Sequence, residues 1–62
     1  MTATGIASRL VARHGADFAR AYVAGRHAWY VDRLRHGIGA FTRTCVRITL
    51  WAAVGAALGR EA

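Results

Sequence analysis

Arginine supplies every permanently cationic side chain of this 62-residue chain, which contains nine arginines and no lysine. A guanidinium stays charged at biological pH and donates hydrogen bonds in a fixed fork that matches two oxygens of a phosphate group. The acids number only three, the net charge is +6, and the partners should therefore be anionic. The arginines expected to bind phosphate are Arg9, Arg13, Arg20, Arg26, Arg33, Arg35, Arg43 and Arg47.

Hydrophobic residues make up 55% of the same chain. That much apolar surface suits a lipid bilayer better than a nucleic-acid groove, so the anion is expected to be the phosphate of a membrane. Aromatic rings with one polar edge settle at the depth of lipid headgroups. The aromatic residues expected at that interface are Tyr22, Trp29, Tyr30 and Trp51.

Catalytic and metal-binding chemistry are not expected. His14, His27 and His36 are too far apart in sequence for a metal site, and no acid or cysteine completes a ligand set. Ser8 is the only serine, and nothing places a base and an orienting acid around it. Cys45 is the single cysteine and is interpreted as a small buried hydrophobe on a helix. We expect no enzyme, no cofactor, no metal and no small-molecule substrate.

Helices must position these side chains. The chain lacks proline and is dominated by alanine, arginine and leucine, which predicts an all-α fold. Glycine ends helices, and breaks are predicted at Gly15, Gly25 and Gly37. The result is a single small domain over 1–62, a compact bundle of four short helices, the last one longest. The predicted helices cover residues 4 or 5 to 14, 16–24, 26–36, and a final segment after 39 that ends near 58.

Two faces of the last helix are predicted to behave differently. One repeats apolar residues at alternating spacings of three and four, which is typical of a packing seam; its residues are Ile38, Phe41, Cys45, Ile48 and Ala52. The other begins with Arg43 and Arg47 and continues into apolar residues around Trp51. This second face exceeds what so small a bundle can cover, and such a patch usually marks a contact surface. The residues expected to insert into lipid are Leu50, Val54 and Leu58.

This last helix is too interrupted to span a bilayer with ease. Between positions 48 and 59 it offers twelve uncharged residues, whereas a crossing needs about 20. A helix lying in the membrane surface is the favoured interpretation. A single-pass protein anchored by the C-terminal helix remains an alternative.

Several short motifs resemble the leaderless bacteriocins of the aureocin and lacticin Q type. The segment Leu10-Val11-Ala12-Arg13-His14-Gly15 is similar to the Leu-Leu-Ala-Lys-Tyr-Gly-like helix end of that family. The likeness extends over about four-fifths of the chain, and its further motifs are the aromatics Phe18 and Tyr22, Gly25-Arg26, Val31-Asp32-Arg33-Leu34 before Gly37, and Leu58-Gly59.

The resemblance implies a compact four-helix, saposin-like bundle that is made without a leader peptide. It also implies permeabilisation of the membranes of competing bacteria without a protein receptor. On this expectation the protein is secreted without a cleaved signal peptide and acts at the target cell membrane, with self-association left open.

A small arginine-rich nucleic-acid-binding protein is the other alternative, since the sequence pI is near 11.5. The arginines are, however, distributed along the whole chain, and no helix-turn-helix or basic-region pattern is present. Membrane binding is therefore the favoured hypothesis.

Overall fold

The computed structural model describes residues 2–61, and within them the side chains of residues 2–59. Three helices make up this part of the chain: α1 (Ala3–His14), α2 (Ala16–Arg35) and α3 (Phe41–Glu61). The described residues include no strand, so the all-α prediction is confirmed. The prediction of four helices is wrong. The last helix is the longest, with 21 residues against 20 for α2.

Both ends of α1 follow from local chemistry. The Thr2 side-chain oxygen accepts a hydrogen bond from the Gly5 backbone nitrogen at 3.0 Å, which satisfies one of the free N–H groups of the first turn. At the other end, Gly15 adopts a φ of 88° that other residues rarely take, and its N–H donates to the Val11 carbonyl oxygen at 2.9 Å. The break predicted at Gly15 is confirmed.

Gly25 does not end a helix, and this is why the second and third predicted helices form one. It lies exposed in the middle of α2. A glycine inside a helix costs about 1 kcal/mol relative to alanine. Contacts with α3 on both sides of Gly25 offset this cost, because Val23 before it and Arg26 after it both contact α3.

The break predicted at Gly37 is confirmed, and it has the geometry of a Schellman motif. The Gly37 N–H donates to the Leu34 carbonyl oxygen at 3.2 Å, and the Ile38 N–H donates to the Arg33 carbonyl oxygen at 3.0 Å. Gly37 has a φ of 64°, the left-handed conformation that this motif requires. The chain then turns back, and α3 packs along α2.

The core consists mainly of small side chains. Alanine and glycine let the helices approach closely: a Cβ added to Gly55 would lie 3.7 Å from the Val23 Cγ1 atom. Val54 is fully buried and Leu58 is 4% exposed, so two of the three residues expected to insert into lipid belong to the core of the folded bundle. Leu50 is half-buried against this core. The buried hydrophobic residues are Ala7, Ala19, Val23, Val54, Ala57 and Leu58.

The predicted packing seam of α3 faces outward, so this prediction is wrong. Phe41 is 71% exposed, Ile38 is 48% exposed and Ala52 is exposed, while Cys45 and Ile48 are half-buried. The face of α3 that packs in the core instead carries Val54, Ala57 and Leu58, all of them buried.

The core-facing stripe of α3 changes from cationic to apolar where α1 begins to cover it. The α1 residues that join the core pack with the segment from Leu50 to Leu58. A helix of 12 residues is only about 18 Å long and covers only part of α3. Arg47 and Arg43, about one and two turns before Leu50, are exposed.

Candidate functional site: an arginine–aromatic row

A continuous row of ring and guanidinium contacts follows one side of α2. Four of its members lie on α2 at intervals of four, so each falls about one turn beyond the last on the same side of the helix. We call this set the arginine–aromatic row, and its residues are His14, Phe18, Tyr22, Arg26, Trp29, Tyr30, Arg33 and Trp51.

The first half of the row consists of rings. The His14 and Phe18 ring centres are 4.6 Å apart, and the Phe18 and Tyr22 rings stack at 6.0 Å. Tyr22 then meets the edge of Trp51, on α3, at 5.9 Å. Because His14 ends α1, these contacts link all three helices.

Arg26 is the centre of the second half. Its guanidinium carbon lies 5.3 Å from the Trp29 ring centre, 5.3 Å from that of Tyr30 and 6.0 Å from that of Trp51. Its Nη2 atom also donates a hydrogen bond to the Tyr30 hydroxyl oxygen at 3.1 Å. Guanidinium–ring contacts of this kind contribute about 0.5–2 kcal/mol each, depending on how dry the site is.

Two N–H donors in this centre are buried and have no acceptor among the described residues. They are Nε of Arg26 and Nε1 of Trp51. Leaving a buried donor unpaired costs about 1–3 kcal/mol. Both donors lie in the contact between α2 and α3, out of reach of a ligand at the surface.

Arg33 extends the row toward the C-terminal end of α2. Its guanidinium carbon lies 4.6 Å from the Trp29 ring centre. Trp29 therefore lies between two arginines, and 47% of it remains exposed. Phe18 is 50% exposed and Tyr22 41%, so the rings of the row present an amphipathic surface to solvent.

No acid with a described side chain neutralises the row. Asp17 pairs with Arg20, with Oδ1 and Nη2 2.7 Å apart. Asp32 faces His36 one turn along α2, where Oδ1 and Nδ1 are 3.5 Å apart. Arg26 and Arg33 therefore keep a positive field around the exposed rings.

The structure brings together six of the predicted site residues and leaves others apart. The six that join the row are Tyr22, Arg26, Trp29, Tyr30, Arg33 and Trp51. Arg9 and Arg13 line an open cleft of about 550 Å³ on α1 that ends at His14, the first ring of the row. Arg20 pairs with Asp17. The other predicted arginines outside the row are exposed, and they are Arg35, Arg43 and Arg47.

Sequence reasoning missed two members of the row, His14 and Phe18. The residues His14, Phe18, Tyr22 and Arg26 follow one another at intervals of four. This interval was a usable signal, but it was hidden by the break at Gly15, across which the ring contact nevertheless forms.

Sequence reasoning also missed the outward face of α3. Arg43 and Arg47 are the only charged residues between positions 41 and 59, and both lie on the stripe that leads into the core. The outward face is therefore uncharged, with Phe41 71% and Val46 60% exposed. It carries a shallow hollow of about 350 Å³ beside Cys45.

The described residues lack two further kinds of feature, a membrane-spanning helix and a metal-binding cluster. None of the three helices is both long enough and apolar enough to cross a lipid bilayer. No group of three histidine, cysteine or acidic side chains within residues 2–59 could hold a metal ion.

Comparison with known proteins assigns this chain to no family. The chain matches no protein-family model, no curated protein sequence and no solved structure.

Proposed function

We propose that this chain is a cationic antimicrobial protein, of the leaderless bacteriocin type, that binds anionic bacterial membranes and permeabilises them without a catalytic step. The observation that carries the proposal is the arginine–aromatic row: half-exposed rings lie on the same side of α2 as guanidinium groups that no acid with a described side chain neutralises.

Adsorption comes first. A net charge of +6 attracts the protein to an anionic leaflet, and each arginine near the surface contributes about 1 kcal/mol. At the surface, arginine guanidinium groups donate hydrogen bonds to the phosphate oxygens of the lipid headgroups. Charge-assisted hydrogen bonds of this type are stronger than neutral ones.

The exposed rings then set the depth of the protein. Trp29, Tyr22 and Phe18 are each about half exposed and lie on the same side of α2 as Arg26 and Arg33. An aromatic ring buries its body among lipid headgroups and keeps its polar edge wet. The row therefore suits the interface between headgroups and acyl chains.

Permeabilisation requires a further apolar surface. Phe41 and Val46, on the uncharged outward face of α3, are available in the folded state. Val54 and Leu58 become available only if the bundle opens. A 62-residue domain with a core of small side chains has a small free energy of unfolding. Contacts with lipid can therefore offset the free energy needed to open the bundle. Secretion without a cleaved signal peptide, and action at the target membrane, belong to this proposal.

Dye release from vesicles tests the function. At micromolar protein, vesicles of phosphatidylglycerol should leak more than vesicles of phosphatidylcholine, and leakage should fall as salt rises. Complete retention of dye in both would contradict the proposal. If the same protein retarded duplex DNA at about 0.15 M salt, nucleic-acid binding would replace it.

A matched pair of arginine variants tests whether the row is the binding site. Arg33→Gln and Arg35→Gln remove the same charge two positions apart on α2, but only Arg33 contacts Trp29. We expect Arg33→Gln to reduce binding to phosphatidylglycerol vesicles severalfold more than Arg35→Gln. Equal losses would mean that net charge alone, and not the row, drives binding.

A further inference from the structure

A groove between α2 and α3 has a different character from the row. Its volume is about 390 Å³, which lies in the range of small-molecule sites. Its apolar walls include Val23 and Ala24 from α2 and Ala52 and Gly55 from α3. Among residues 2–59, the charged or titratable side chains that line it are those of Arg20 and His27.

Glycine keeps this groove open. Gly55 contributes no side chain, and a Cβ at this position would meet the Val23 Cγ1 atom at 3.7 Å, which is an ordinary contact. A longer side chain at position 55 would extend into the space between the two helices. A substitution at Gly55 alone should therefore fill the groove.

Arg20 gives the groove a permanent positive charge. Its Nη2 atom pairs with Asp17, whose side chain is fully exposed, and such a solvated pair contributes little and exchanges readily. A guanidinium has five N–H donors, so Arg20 can bind a second carboxylate. His27, seven residues later, lines the groove about 10 Å further along α2.

We propose that this groove binds a single-chain anionic amphiphile, specifically a medium-chain fatty carboxylate. The carboxylate lies on Arg20, and the alkyl chain lies over Val23, Ala24 and Gly55 toward His27. No acid among residues 2–59 lines the groove, and Arg20 supplies the positive charge that a carboxylate headgroup requires. This site goes beyond the proposed membrane function and does not depend on it.

Trp51 provides the readout, because it lines the groove and the chain has only one other tryptophan. In the Trp29→Phe protein, titration with decanoate below its micelle concentration should give a saturable change in Trp51 fluorescence. Decyltrimethylammonium has the same chain length and the opposite charge, and its affinity should be lower by about tenfold or more. Equal binding of the two probes would overturn the assignment of Arg20.

Two variants in this Trp29→Phe background separate the alkyl site from the charge. Gly55→Leu should abolish saturable decanoate binding, whereas Gly25→Leu should not, because nothing lies within 4 Å of a Cβ at the exposed Gly25. Arg20→Gln should weaken decanoate about tenfold and leave decanol unchanged. Decanoate binding that is unaffected by Gly55→Leu would overturn the proposal.

Circular dichroism of each variant shows whether the helices remain. If Gly55→Leu unfolds the bundle, the exposed Arg20→Gln variant decides the question alone, and unchanged decanoate affinity in it overturns the site. Dye release from vesicles is a separate measurement. Vesicle leakage without decanoate binding would overturn the proposed groove ligand and leave the proposed membrane function standing. Decanoate binding without leakage would overturn only the membrane function.

Discussion

The guanidinium carbon of Arg26, on α2, lies 6.0 Å from the centre of the Trp51 ring, on α3. This contact connects the two longest helices at the middle of the arginine–aromatic row. The same guanidinium donates to the Tyr30 hydroxyl. Arg26 therefore supports the fold and also carries a positive charge, so variants here must be assessed for stability and for binding separately.

Removal of the Tyr30 hydroxyl should weaken the bundle modestly. Tyr30→Phe keeps the ring beside Arg26 and removes the acceptor that lies 3.1 Å from Nη2. We expect the free energy of unfolding to fall by about 0.5–1.5 kcal/mol, measured by urea titration with circular dichroism. Tyr22→Phe, at a residue that is 41% exposed, is the control and should change little. A larger loss in the control would contradict the assigned role of Tyr30.

Replacing Gly25 should make the protein more stable. This glycine lies inside α2, and nothing lies within 4 Å of an added Cβ. Gly25→Ala should therefore raise the free energy of unfolding by about 0.5–1 kcal/mol, because alanine loses less conformational entropy on folding. For a domain of this size the midpoint of thermal unfolding should rise by about 2–8 °C.

Gly15→Ala is the opposite case and provides the comparison. Gly15 has a φ of 88°, so a side chain there is strained even though no atom blocks it. The free energy of unfolding should fall. Stabilisation by Gly15→Ala would mean that α1 and α2 can join without the break.

These glycines show how far the sequence predicts the helices. Gly15 and Gly37 end helices because both adopt positive φ, and glycine is the residue that favours this conformation. Gly25 has the same local preference, yet the helix continues through it. The difference comes from Val23 and Arg26, which contact α3. Contacts between residues distant in sequence are not visible in a local pattern.

The candidate site was predictable in composition but not in arrangement. Arginine and aromatic content indicated an amphipathic cationic surface, and proximity of Trp29 to Arg33 follows from a spacing of four in one helix. Contacts of Trp51 with Tyr22 and Arg26 depend on which face of α3 meets α2. That choice was predicted incorrectly, because both faces of α3 carry apolar residues at helical spacing.

Loss of the α1 cap should destabilise the N-terminal helix. Thr2→Ala removes the side-chain oxygen that accepts from the Gly5 N–H at 3.0 Å. We expect a loss of about 0.5–2 kcal/mol in the free energy of unfolding, seen by urea titration. Thr2→Ser retains the oxygen and should behave like the original protein. If serine and alanine have the same effect, the cap does not contribute.

The two faces of α3 should respond in opposite ways to truncation. Val54 is fully buried, so Val54→Ala leaves a cavity and should lower the free energy of unfolding by about 2–3 kcal/mol. Phe41 is 71% exposed, so Phe41→Ala should leave the free energy of unfolding nearly unchanged. The same two variants should separate in dye release from phosphatidylglycerol vesicles. Phe41→Ala should cause less dye release than the original protein, because it removes an exposed apolar contact. Val54→Ala should cause as much dye release or more, because its bundle opens more easily. A stable Val54→Ala protein that causes less leakage would contradict this expectation and would mean that Val54 itself contacts lipid once the bundle has opened.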